Sequence, residues 1–193
     1  MISGISFEIP SKITDGAEKP GFARQFQVFH APCVPWLVML YSAMAPPYPT
    51  LIPELRSPFD QVKGIVYFGR MLDKIRLAAK GELPEGWQAA RGTNSPTSFD
   101  ARCCRFLHID YPALEAETLK GGSDEALLAW AFAKGRQPAD EEIEVWNAFM
   151  TKRGWRDGGT QRLNERLAEI GLPPGTVQTM FEFIDLDEGR SKA

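Results

Sequence analysis

From Ile65 to Lys80 the apolar residues return at helical spacing. Phe68, Met71, Leu72, Ile75, Ala78 and Ala79 fall in one arc when successive residues are turned by about 100°. The pattern predicts a core helix with Gly81 as its left-handed stop. Upstream, Ser57-Pro58-Phe59-Asp60 reads as a helix start, with Ser57 as cap and Pro58 at the first helical position; Gly64 ends or kinks that piece. Downstream, Glu82 to Thr97 is rich in Gly, Pro, Ser and Asn and reads as a loop carrying Trp87 and Arg91. Ser98 caps a helix over about 99–108, and Pro112 opens another that closes at Gly121-Gly122. Ser123 starts "DEALLAWAFAK", which ends at Gly135. Pro138 and the acids Asp140 to Glu142 start a longer helix to about Lys152, with Ile143, Trp146, Phe149 and Met150 on its apolar side. "QRLNERLAEI" follows, with Leu163, Leu167 and Ile170 on its buried edge and Gly171 as its stop. Pro173-Pro174-Gly175 is a turn, Thr176 caps a last short helix to about Ile184, and "DLDEGR" reads as a charged tail. Alternating β-branched runs are missing, so the expected fold is all-α: a compact bundle of about six to seven short helices with no significant sheet.

The first 43 residues differ from the rest. They hold 6 of the 47 charged residues and no sustained period, and Pro10, Pro20, Pro32 and Pro35 interrupt them. Either they form a poorly ordered arm whose 33–45 part packs on the core, or translation starts at Met44 or Met39. The expected organisation is therefore an arm over 1–43 and one helical domain over 44–193, with a hinge at Gly121 to Ser123. The longest apolar stretch, Ala31 to Pro47, offers only ten residues between Pro35 and Pro46. A membrane span needs about 20. No targeting signal is read, because mixed charges precede that stretch.

Composition narrows the function classes. A hydrophobic share of 44% supports a core, and the net charge of −3 gives no global basic field for nucleic acid or anionic membrane. The odd set Cys33, Cys103 and Cys104, two of them adjacent, suits a reducing cytosol better than a disulfide scaffold.

The charges of "YFGRMLDKIRLAAKG" are the first candidate site. Arg70 and Lys74 are four apart, and Asp73 reaches Arg70 or Arg76 at three. Arg70, Asp73 and Lys74 are expected to face outward, with Arg76 at the apolar border. Three readings stand: a solvated face, a structural pair such as Arg76 with Asp100, or a site that grips an anion through the planar forks of arginine. Three donors beside one acid leave positive charge over, which favours a ligand or acidic protein partner unless outside acids absorb it. The competing class is a small enzyme using carboxylate acid/base chemistry at Asp73 or Asp100.

Other constellations are weaker. Cys104 and His108 are four apart, with Cys103 and Asp110 near, the spacing of a nucleophile and base or half of a zinc site, but a closed zinc site would have to borrow Asp110 or His30 and Cys33 of the arm. "DLDEGR" opens like a calcium loop, yet its glycine is misplaced and no glutamate follows at twelve. Trp130, Trp146, Arg153, Trp155 and Arg156 could stack bases or a partner; two of them lie on apolar stripes, and Asn147 beside them can cap a neighbouring element. The 138–152 and 160–170 helices are separated by a turn too long for helix-turn-helix, and acids offset Arg162 and Arg166, so nucleic acid is not favoured. No phosphate loop, HExxH or GxSxG is present, so no cofactor and no metal are expected.

Five stretches carry a family likeness: "LRSP" at 55–58, "GRMLDKIR" at 69–76, "DEALLAW" at 124–130, "WNAFMTKRGWRD" at 146–157 and "DLDEGR" at 185–190. Together they resemble an uncharacterised bacterial family, domain-of-unknown-function family 5069, over roughly residues 50–190. The resemblance implies a small, mostly helical cytosolic protein and assigns no catalytic residue. The expected function is a module that binds an anionic small ligand or an acidic partner through Arg70, Lys74 and Arg76.

Overall fold

The computed structural model describes residues 50–190. The arm over 1–43, with Cys33 and His30, lies outside the described residues. Eight helices and one two-stranded sheet make up the described part, a mostly helical fold.

The expected helix start at Ser57 is instead a turn leading into a hairpin. β1 (Gln61–Val62) pairs antiparallel with β2 (Ile65–Val66). Lys63 and Gly64 connect them with φ of 45° and 84°, the double positive φ of a primed turn whose twist matches paired strands. Val62, Ile65 and Val66 are buried, so the residues read as the first turns of helix are a short core ribbon. Its outer edge is covered by Asn147: the Val66 N–H donates to Asn147 Oδ1 at 3.1 Å, and Asn147 Nδ2 donates to the Gly64 carbonyl at 2.7 Å.

Tyr67, in the left-handed region at φ 73°, turns the chain into α1 (Phe68–Lys80), which Gly81 ends in the same region. Phe68, Met71, Leu72 and Ile75 are fully buried, as the period predicts. α1 is the central element, packed on α4 (Tyr111–Leu119), α5 (Asp124–Lys134) and β1. The long loop holds a single turn, α2 (Glu85–Gln88). α3 (Phe99–Leu107) starts where Ser98 accepts from the Ala101 N–H at 3.1 Å, and stops at His108, a non-glycine residue at φ 56°. Asp110 caps α4 and Ser123 caps α5. Gly121 and Gly122, the expected hinge, both have positive φ.

α6 (Asp140–Lys152) begins with Glu142 reaching back to the Ala139 N–H at 2.8 Å. α7 (Thr160–Glu169) buries Leu163 and Leu167. The last helix, α8 (Met180–Asp187), starts three residues later than expected and runs into the supposed tail as far as Asp187. Thr179, not Thr176, is its cap, in a reciprocal box with Glu182. No helix among the described residues is long and apolar enough to cross a membrane.

Gly135 makes the tightest backbone approach. An added Cβ would stand 2.0 Å from the Leu107 carbonyl oxygen and 2.6 Å from that of His108, while Arg136 N–H donates to Leu107 at 3.0 Å. Gly135→Ala should therefore cost about 2 kcal/mol or more, because neither backbone atom can swing aside. Thermal melting checks this; an unchanged Tm would show that the α5–α6 connection gives way freely.

Candidate functional site

The charges of α1 do not form a surface face. Arg70, Asp73 and Lys74 are all buried, at 1, 6 and 2% exposure, and Asp100 at 0%. This corrects the outward placement expected from helical spacing. Over Arg70 to Lys74 the polar arc of α1 meets Arg56, Trp87, Asp100 and Glu188 of other segments rather than water.

Each cation has its own acid. Arg70 makes a forked pair with Glu188 and donates to the Arg56 carbonyl at 2.7 Å. Its guanidinium also lies 5.4 Å from the centre of the Trp87 ring. Lys74 donates to Asp100 Oδ1 at 2.5 Å and to the Tyr67 hydroxyl at 3.0 Å. Arg76 is half-exposed at the border, as expected, but its partner is Asp124 at 2.8 Å and, at longer range, Asp73. Asp100 therefore belongs to Lys74 and not to Arg76. Asp73 is held by Arg56, with Nε at 2.6 Å and Nη2 at 2.7 Å. Arg56 also reaches Asp124, and Arg190 joins Glu188 and Asp185.

The network thus holds Arg56, Arg70, Lys74, Arg76 and Arg190 against Asp73, Asp100, Asp124, Asp185 and Glu188. The outside acids absorb the surplus positive charge. Spacing along α1 misses Arg56, Asp124, Asp185, Glu188 and Arg190 because their pairing is tertiary. Four of the five stretches that carry the family likeness supply its members.

Burial sets the electrostatics of the inner part. It lowers the Lys74 pKa against the opposing pull of Asp100. It also pushes the Tyr67 and Cys103 pKa values well up, with Asp100 adding to both. Asp100 has a full set of donors: Lys74, the Tyr67 hydroxyl at 2.9 Å and the Gly92 N–H at 2.7 Å.

Beside this network is a cleft of about 440 Å³. Thr93 and Pro96 of the loop form one wall; Ala101, Cys104, Arg105 and the 108–111 segment form the rest. Neither Asp73 nor Asp100 lines it. Cys104 and His108 do meet there, but burial pushes the Cys104 pKa up to about 12, so the thiol is not an activated nucleophile. Arg105 holds the loop by donating to the Pro96 carbonyl at 2.8 Å.

Tyr111 is the unusual group of the cleft. It is 6% exposed and its hydroxyl makes no hydrogen bond of normal geometry. Burial pushes its pKa up; the Arg91 guanidinium beside it pulls the other way. Arginine only donates, so the phenolic proton lacks an acceptor even with Arg91 alongside. Nothing in the sequence pattern marks this residue.

The tryptophan cluster divides. Trp146 is core, stacked on Phe106 with ring centres 4.5 Å apart, whereas Trp155 is 47% exposed under Arg156. Arg153 pairs with Asp157 at 2.6 Å.

No curated protein matches the chain. Residues 52–190 match the model of a family described as a domain of unknown function, DUF5069. The match spans well over half of the chain and includes the whole charge network and the cleft, so the chain belongs to the DUF5069 family.

Proposed function

We propose that this chain is a cytosolic module that binds a small anionic ligand, and that the ligand sits in the cleft between the 93–97 segment and α3 rather than on Arg70, Lys74 and Arg76. The unsatisfied Tyr111 hydroxyl carries the reading. A buried donor without an acceptor costs about 1–3 kcal/mol, and a ligand oxygen would remove that cost. A carboxylate or phosphate oxygen is the acceptor that gains most from it. Arg105 has N–H groups left over and lines the same cleft as His108 and Tyr111, whose hydroxyl is itself enclosed. Asp110 in the same lining disfavours a second anionic group and suits a ligand hydroxyl or amine. The cations of α1 are already neutralised by acids of the same chain, so they leave little for a ligand. Asp73 and Asp100 are likewise engaged, which argues against the acid/base enzyme. A cytosolic setting agrees with the free, buried Cys103 and Cys104.

The test is an amide NMR titration with inorganic phosphate and a panel of small carboxylates. Shifts should cluster at Ala101, Arg105, His108 and Tyr111. Tyr111→Phe should weaken the best binder about tenfold or more, the worth of a hydrogen bond to a charged group. It should leave stability unchanged or slightly raised, because it removes an unsatisfied hydroxyl. Shifts centred on Arg70 and Lys74, or no shifts with any probe, would refute the cleft as the site.

A further inference from the structure

α6 has an outward apolar face that the described chain covers only in part. Val145 is 63% exposed and Phe149 40%, side by side on successive turns. They form a wall of a shallow groove of about 440 Å³, floored by Phe106 and Trp146. The stripe continues at both ends into charge. Glu141 lies one turn before Val145, and Lys152 one turn after Phe149; both are exposed, and neither has an ion pair among the described residues. Asp140 and Glu144 add acid at the first end. Arg102, over the Phe149 ring at 5.4 Å, adds a cation at the other.

The face therefore reads acid, apolar, apolar, base along a helix about 20 Å long. That order is self-complementary under a two-fold axis. Laid antiparallel on a second copy, Glu141 meets Lys152 of the copy, Val145 meets its Phe149, and both contacts recur on the other side of the axis. A parallel arrangement would set Glu141 against Glu141 and is disfavoured. We propose that the chain forms a symmetric dimer through antiparallel α6 helices, with Val145 and Phe149 at its centre. The proposal is independent of the ligand reading, because the cleft and this groove share no lining residue. One helix pair is smaller than a standard interface, so the expected dissociation constant is on the order of micromolar.

Sedimentation velocity of the full chain over a range of concentrations, at low salt, tests it. The wild type should pass from monomer to dimer. Glu141→Lys and Lys152→Glu each set like charges across both ends of the pair and should weaken association about tenfold or more. Mixed in equal amounts, the two variants should again form dimers, because each like-charge clash becomes an attraction in the heterodimer. Both positions are exposed, so circular dichroism melting should show only the small loss of a charge reversed at a helix end and no loss of fold. A wild type that stays monomeric overturns the proposal. So does a mixture that associates no better than its components, or a pair of variants that dimerise as well as the wild type.

Discussion

Glu188→Gln should destabilise the fold by about 3–5 kcal/mol, a third or more of the stability of an ordinary domain. The size follows from where the charge is left. Arg70 is 1% exposed, and Glu188 supplies both oxygens of its fork. Glutamine keeps the shape but removes the negative charge, so a guanidinium remains in a site that water cannot reach. The Arg56 carbonyl and the Trp87 ring face it still, but neither carries a full charge, and Asp185 and Asp187 attract it only at longer range, without an ion pair to it. Arg190 would lose the same carboxylate and fall back on Asp185. Arg70→Met together with Glu188→Leu should recover much of the loss, since replacing a buried pair by apolar groups is often neutral. Denaturant unfolding with an unchanged m value is the measurement. A loss below about 1 kcal/mol for Glu188→Gln would mean that the pair behaves as a surface bridge. The loss should also persist at high salt, because burial limits screening.

This pair also marks where the sequence stops being readable. The α1 period, the Gly81 stop and the Ser98 and Ser123 caps are local signals, and each is where spacing places it. The partner of Arg70 is 118 residues away, and no local pattern reports it. Residues on the polar arc of α1 look solvated because helical spacing assigns faces, not neighbours. They are buried because the segments that carry Arg56, Trp87, Asp100, Asp124 and Glu188 close over that arc. The hairpin escaped for a different reason: two-residue strands are too short to show an alternation, and Ser57-Pro58 is an equally good helix opening. The final helix was a matter of choosing between two threonines. Thr179-x-x-Glu182 carries the box signature and Thr176 does not, so that signal was present in the chain. The cleft was legible only in part. Cys104 and His108 stood out by spacing, whereas the orphan hydroxyl of Tyr111 is a property of packing.

Asp100→Asn should show the other large effect, and its pH dependence identifies the cause. Asp100 is the only acid bonded to Lys74 among the described residues, at 2.5 Å, with both groups almost wholly buried. The substitution leaves the ammonium with the Tyr67 hydroxyl and the Ala90 carbonyl, and with Arg70 nearby as a repulsive charge. The expected loss at neutral pH is again about 3–5 kcal/mol. Burial already lowers the Lys74 pKa below its ordinary value, and Asp100 is the main influence holding it up. Without Asp100 it falls further, so Lys74 sheds its proton in the folded state while the unfolded chain keeps it. Stability rises with pH wherever the unfolded state binds more protons. The deficit of Asp100→Asn relative to wild type should therefore shrink as the pH rises toward the titration of an unfolded lysine. Tyr67 and Cys103 face the same pair, and burial pushes both of their pKa values upward, so neither supplies a competing rise in that range. Unfolding curves at several pH values read this directly. A deficit that stays constant with pH would mean that the lost stability comes from the Gly92 N–H and Tyr67 hydrogen bonds to Asp100 rather than from a stranded charge on Lys74.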